Sequence, residues 1–91
     1  MPNFEFDPVK DQINQKKHGI SFLQAQALWE GDHIIVPAKN LKEEHRYLLL
    51  GTLGRKIYLA VYTIRDDKIR LISCHRADKK WEKYYEEKIE K

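Results

Sequence analysis

The spacing of apolar positions changes repeatedly along the chain, and each change marks a boundary between elements. Asn3-Phe-Glu-Phe6 alternates polar and apolar side chains as a short strand does, and Asp7-Pro8 then supplies an N-cap followed by proline at the first helical position. The helix this predicts runs from about Pro8 to His18, with Val9 and Ile13 one turn apart as a thin apolar stripe and Lys10, Asn14 and Lys17 on a polar face. Lys16, Lys17 and His18 complement the negative end of the helix dipole, and Gly19 takes the left-handed conformation that ends it. Ser21-Phe-Leu-Gln24 has the pattern of a capping box. Phe22, Ala25, Leu28 and Trp29 then recur at helical spacing, which predicts a second short helix.

Beyond Gly31-Asp32 the period changes. His33-Ile-Ile-Val36 reads as a strand, and Pro37 through Lys42 as a polar connection. Glu44-His-Arg-Tyr-Leu-Leu-Leu-Gly51 opens polar and becomes continuously apolar, as a strand buried on both faces does. Gly54-Arg55 is a hairpin turn into Lys56–Ile64, the segment richest in β-branched and aromatic residues, and Arg65-Asp-Asp-Lys68 turns the chain again into Ile69–Ala77. Three successive antiparallel strands result. From Ala77 the spacing is helical once more, with Trp81, Tyr84, Tyr85, Lys88 and Ile89 on adjoining positions, an aromatic stripe suited to packing on a sheet. The expected fold is α+β: a small, mostly antiparallel sheet with two N-terminal helices packed on it and a C-terminal helix, in the order β-α-α-β-β-β-β-α.

Composition narrows this picture. Ninety-one residues with 42% hydrophobic content make one domain, spanning residues 1–91, near the size at which a single core suffices. The single cysteine, Cys74, provides neither a disulfide framework nor a ligand cluster, which suits a reducing compartment and makes the cytoplasm the expected location. No apolar run reaches membrane-spanning length, and Met-Pro-Asn-Phe-Glu-Phe lacks a signal pattern. The net charge of +3 is unevenly spread: residues 1–45 carry five basic and seven acidic groups, residues 46–91 twelve and seven, and all five arginines lie in the second half. That half suits an anionic partner.

Candidate chemistry concentrates in Ile69–Ala77. Simple alternation puts Arg70, Ile72, Cys74 and Arg76 on one side and Ile69, Leu71, Ser73 and His75 on the other, so two arginines would grip successive phosphates with His75 as a proton carrier at the strand end. The same arginines also read as solvated edge residues or partners of carboxylates on the last helix, and Lys-Lys-His-Gly19 reads equally as helix termination. No glycine-rich phosphate loop, metal-ligand spacing or serine-histidine-acid arrangement is present, and His18, His33, His45 and His75 are too scattered for a zinc or manganese pattern. What remains is a set of polar groups at strand and helix ends: Lys17, His18, His45, Arg46, Arg70, His75, Arg76, Tyr84 and Tyr85. Metal-independent RNA cleavage needs a base for the 2′-hydroxyl proton, cations for the crowded phosphate and an acid for the leaving oxygen, and these residue types permit it without selecting it.

Phe4-Glu-Phe-Asp-Pro8 with Lys10, then Asn14, Lys17-His-Gly19, Phe22 and Ala25, followed by Glu44, Arg46, Gly51, Arg70, Ile72-Ser73, Arg76-Ala77 and Tyr85, occur in an order and spacing that resemble the BrnT-type toxins of type II toxin-antitoxin systems, within the RelE-like ribonucleases. The resemblance covers nearly the whole chain. It implies a compact sheet flanked by helices, a ribonuclease that blocks translation without a cofactor, and neutralisation by a BrnA-type antitoxin. That antitoxin would resemble ribbon-helix-helix repressors and carry the pair, as a heterotetramer, onto operator DNA. On this reading His45, Arg46, Arg70, His75 and Arg76 are catalytic, and Lys17, His18 and Tyr85 bind substrate. The chain departs from the family pattern at His75, where an arginine is usual, and at Trp81, where a glutamate is usual and Glu82 stands one place along. A different class of function is a non-catalytic module whose basic half docks an antitoxin or RNA without cutting it.

Overall fold

The computed structural model describes residues 3–38 and 44–89. Its elements are β1 (Phe4–Glu5), α1 (Pro8–His18), α2 (Phe22–Ala25) continued by a 3₁₀ helix (Gln26–Trp29), β2 (His33–Pro37), β3 (Tyr47–Leu53), β4 (Lys56–Arg65), β5 (Lys68–Arg76) and α3 (Lys79–Ile89). The expected caps form. Asp7 accepts from the Val9 N–H at 2.9 Å, Gly19 ends α1 at φ 71°, and Ser21 and Gln24 complete both halves of the capping box. Gly54 turns the β3–β4 hairpin at φ 63°. The β4–β5 hairpin holds Asp66 and Asp67 at φ 49° and 63°, the left-handed pair that a two-residue turn of this hand requires. Beyond Ala38, the polar connection expected through Lys42 lies outside the described residues.

The class is α+β as expected, but two details differ. The second helix changes to 3₁₀ geometry after Ala25, and the sheet, in the order β1-β5-β4-β3-β2, is mixed: β2 through β5 are antiparallel, whereas β1 pairs parallel to β5 through Phe4↔Ile69 and Glu5↔Arg70. β1 is only two residues long. The chain then continues beside β5 as α1, which takes over the edge that β1 leaves.

Asn14 makes that takeover possible. Its side-chain amide donates to the Cys74 C=O at 2.8 Å and accepts from the Cys74 N–H at 3.1 Å, as a neighbouring strand would, and also donates to the Ile20 C=O at 2.9 Å. A buried backbone pair is thereby satisfied by a side chain. This reverses the expected face of α1: Asn14 is 5% exposed, while Val9 and Ile13 are 63% and 57% exposed. The helix docks through a polar residue because it meets a sheet edge, where backbone groups need partners, rather than a sheet face.

Two cores sandwich the sheet. On one face Ile20, Phe22, Ala25 and Leu28 pack on Leu49, Ala60, Tyr62, Leu71 and Cys74; on the other, Tyr85 of α3 packs with Leu50, Ile57, Leu59 and Ala77, flanked by Trp81 and Ile89. Leu49 and Leu50 therefore face different cores, which accounts for the continuous apolar run of β3. At Gly51 a side chain would approach the Leu28 carbonyl oxygen to 3.2 Å, a tight contact, so the close passage of the 3₁₀ helix over β3 favours glycine.

β5 does not keep the simple alternation. Val61 pairs with Ser73 and Tyr62 with Leu71, leaving Ile72 as the extra residue of a bulge. Leu71 and Cys74 consequently share the first core, so the side chains on either side of the bulge change phase. Arg70, Ser73 and His75 lie on the α3 side of the sheet and Arg76 on the opposite side, in place of the shared face expected for Arg70 and Arg76. His75 is opposite Leu59 of the α3-side core, and Arg76 opposite Tyr58, which packs on the other core.

Candidate functional site

α3 crosses β2 and β3, so the α3-side surface of β5 lacks the cover that α3 gives the other half of the sheet. Arg70, Ser73 and His75 line this strip and are all partly exposed. At its C-terminal end, α1 brings His18 alongside β5, with the His18 and His75 rings 5.3 Å apart between centroids and tilted by 41°. Gly19, by ending α1 there, and Asn14, by fixing α1 to Cys74, set this approach.

The two imidazoles differ in setting. The Nδ1 of His75 lies 2.8 Å from the Arg76 carbonyl. A carbonyl oxygen only accepts, so this contact favours a proton on Nδ1 and leaves Nε2 facing away. His18 has its pKa lowered below the ordinary 6.5 by desolvation, and by the nearby charges of His75 and Lys17. A pair of close imidazoles, one of which resists protonation, is a chemically competent acid-base pair. Lys17 and Arg76 adjoin His18 and His75 in sequence and are exposed, Arg76 on the opposite face of the sheet from His75, and no ion pair among the described residues engages either of them.

The remaining sequence candidates lie elsewhere. Arg70 starts the strip about 15 Å from His75 at the usual strand rise, and its guanidinium donates to Glu5 at 2.6 Å. Arg46 precedes β3 at that same end, with Nε 3.6 Å from Glu44, while Arg65 donates to Glu44 at 2.8 Å. The Arg65 hydrogen bond holds the Glu44 carboxyl below its ordinary value, with the Arg65 and Arg46 charges acting in the same sense. His45 is exposed there, its backbone carbonyl accepting from the Thr63 hydroxyl at 2.6 Å. The candidate residues thus divide between the two ends of β5: His18, His75 and Lys17 at one, with Arg76 at that same end on the opposite face of the sheet, and His45, Arg46 and Arg70 at the other.

Tyr85 is in neither group. It is 6% exposed, and its hydroxyl donates to the Asp32 carbonyl at 2.9 Å, which pins α3 to the start of β2. Trp81 packs against the same core and meets Tyr84 edge-on at 5.6 Å. Cys74 is fully buried, and burial pushes its thiol up to about 12, so it is unsuited to nucleophilic chemistry. Among the described residues, no group of three or more His, Cys, Asp or Glu side chains converges as a metal site would, and no helix is long and apolar enough to cross a membrane.

The nearness of His18 and His75 is the feature that sequence reasoning missed, because 57 positions separate the two residues and the Asn14 clamp that joins their elements has no periodic signature. Compared with known proteins, the chain matches no curated relative. The family model described as "Ribonuclease toxin, BrnT, of type II toxin-antitoxin system" matches residues 6–80, a span that includes α1, the whole sheet from β2 to β5 and the histidine pair. The chain therefore belongs to the BrnT ribonuclease toxins of type II toxin-antitoxin systems.

Proposed function

We propose that this toxin is an endoribonuclease that cuts RNA without a metal, using the 2′-hydroxyl of the substrate as nucleophile and His18 and His75 as base and acid. The observation that carries this reading is the 5.3 Å pairing of the two rings at the open end of β5. His18, whose pKa is lowered, is suited to be neutral near pH 7 and takes the 2′-hydroxyl proton. The 2′-oxygen bonds to the adjacent phosphorus, the bond to the 5′-oxygen breaks, and protonated His75 gives that leaving oxygen its proton. The products are a 2′,3′-cyclic phosphate and a 5′-hydroxyl, and DNA, lacking the nucleophile, is spared. Lys17 supplies positive charge for the crowded phosphate, and Arg76, at the same strand end but on the other face of the sheet, adds to it at longer range. Arg70, Arg46 and His45 contact RNA farther along the strip, and Tyr85 supports the site from the core rather than binding substrate. Blocked translation follows from loss of messenger RNA. The protein partner is an antitoxin of the BrnA, ribbon-helix-helix type, which carries the pair as a heterotetramer onto operator DNA.

The test is cleavage of a synthetic RNA by the purified chain, with end-group analysis. His18→Ala and His75→Ala should each lower kcat by about 10²- to 10⁴-fold at an unchanged melting temperature. His75→Arg should keep RNA affinity and lose rate, because arginine retains charge but does not exchange protons near neutrality. EDTA should leave cleavage unchanged. Chelator-sensitive cleavage restored by one metal, or folded histidine variants with the parental rate, would overturn the mechanism. No cleavage of any RNA would favour a module that binds without cutting.

A further inference from the structure

The outward face of α1 is left over from both the fold and the cleavage site. Of eleven residues in this helix only Asn14 is buried, and the two aliphatic side chains, Val9 and Ile13, stand one turn apart in solvent. With Gln12, Gln15 and Lys16 they line a shallow recess of about 400 Å³. Among the described residues, the other exposed aliphatic side chains, Leu23, Ile35 and Ile64, are single positions on three different elements. Isolated apolar residues need no explanation, but a paired stripe on one helix face marks a surface that another chain can cover.

Charge says what kind of chain. Lys10, Lys16 and Lys17 flank the stripe on exposed positions. The one carboxylate within the helix, Asp11, is directed away from it, accepting from the Phe22 N–H at 2.7 Å and from the Gln15 amide at 3.1 Å. Asp7 is engaged in capping. The exposed face is therefore apolar along its middle and only cationic at its margins. RNA would satisfy the lysines and leave Val9 and Ile13 in water, whereas an amphipathic peptide segment with acidic margins matches both features.

We infer that the Val9–Ile13 face of α1 is the docking site for an apolar, acidic segment of the antitoxin, and that a segment seated there continues round the C-terminal end of the helix to His18. This rests on the toxin-antitoxin pairing that defines the family. Ile13 and His18 are separated by about 7.5 Å of helix rise and about 140° of rotation, so the docked segment turns round the C-terminal end of α1 at Gly19 to reach the histidine pair. Neutralisation then needs no rearrangement of the toxin. The segment is anchored beside the site and covers it.

The experiment uses the full chain and its cognate antitoxin. Val9→Asp with Ile13→Asp adds charge at two exposed positions, so melting temperature and RNA cleavage by the free toxin should stay at the parental level. Affinity for the antitoxin should fall at least about tenfold, and antitoxin at a level that silences the parent should leave the variant active. Lys10→Glu with Lys16→Glu, which leaves the apolar stripe intact, should also weaken binding, and it serves if the first variant folds poorly. Parental affinity in both variants would overturn the proposal. So would a folded variant whose free RNA cleavage is lost, which would make the face an RNA contact, or a parental dimer that the variant dissociates, which would make it a self-interface. A parent that cuts RNA yet does not bind the antitoxin would remove the pairing and this docking site with it, while leaving the cleavage chemistry standing.

Discussion

At the scale of single residues, His18 is where environment and chemistry meet most directly. Desolvation and the neighbouring charges of His75 and Lys17 all disfavour its protonated form. The folded pKa therefore lies below the unfolded 6.5, so the unfolded chain takes up the proton first as pH falls. The associated loss of stability begins as pH drops through 6.5 and stops growing below the folded pKa; it is small because the ring is exposed. The kinetic consequence is larger. If His18 is the base, the acid limb of kcat/KM against pH should fall below 6.5, and His18→Ala should abolish that limb along with most of the rate. A limb centred above 6.5, or one that persists in the His18 variant, would assign the base elsewhere. His75 is the complementary case: the resemblance implies an arginine at this position, and this chain has an imidazole there.

Elements formed largely where periodicity put them, and the exceptions share one cause. The bounds of α1, the capping box of α2, both hairpin turns and the doubly buried β3 were legible because each is written in neighbouring residues: Asp7-Pro8, Gly19, Ser21 with Gln24, and Leu48-Leu-Leu50. The inverted face of α1, the parallel pairing of β1, and the bulge that separates Arg76 from Arg70 were not, because each is decided by what lies across the sheet rather than along the chain. Asn14 is the clearest instance, since its amide acts as a missing strand for β5 only when Cys74, sixty positions away, is beside it. Asn14→Ala would strip the Cys74 N–H and C=O of their partners in a buried setting. The expected cost is about 2–4 kcal/mol, from one unsatisfied buried donor, two acceptors and the lost packing. It should appear in urea unfolding as a lower midpoint. α1 should also loosen on β5, so cleavage per folded molecule should fall as the histidine rings separate. Asn14→Ala at parental stability would mean that the edge is satisfied by water and that the clamp contributes little.

The whole molecule has too small a net charge, +3, for general attraction to explain nucleic-acid binding, so the placement of cations has to do it. The two ends of the β5 strip differ in this respect. Arg70 is held by Glu5, and Arg65 and Arg46 by Glu44, whereas Lys17 and Arg76, which adjoin the histidines in sequence, are in none of the ion pairs among the described residues. A guanidinium already facing a carboxylate releases few counterions when a phosphate arrives, and a solvated cation releases about 0.7 per single-strand phosphate contact. The logarithm of RNA affinity against the logarithm of salt should therefore lose about 0.7 of its slope in Lys17→Gln and again in Arg76→Gln. Arg65→Gln, at the neutralised end, should leave the slope unchanged. Measured on a 2′-deoxy analogue that binds without being cut, these slopes isolate binding from chemistry. Equal losses at all three positions would mean that RNA displaces the carboxylates and runs the full length of the strip, while no loss at Lys17 or Arg76 would remove phosphate contact from the end where the imidazoles meet.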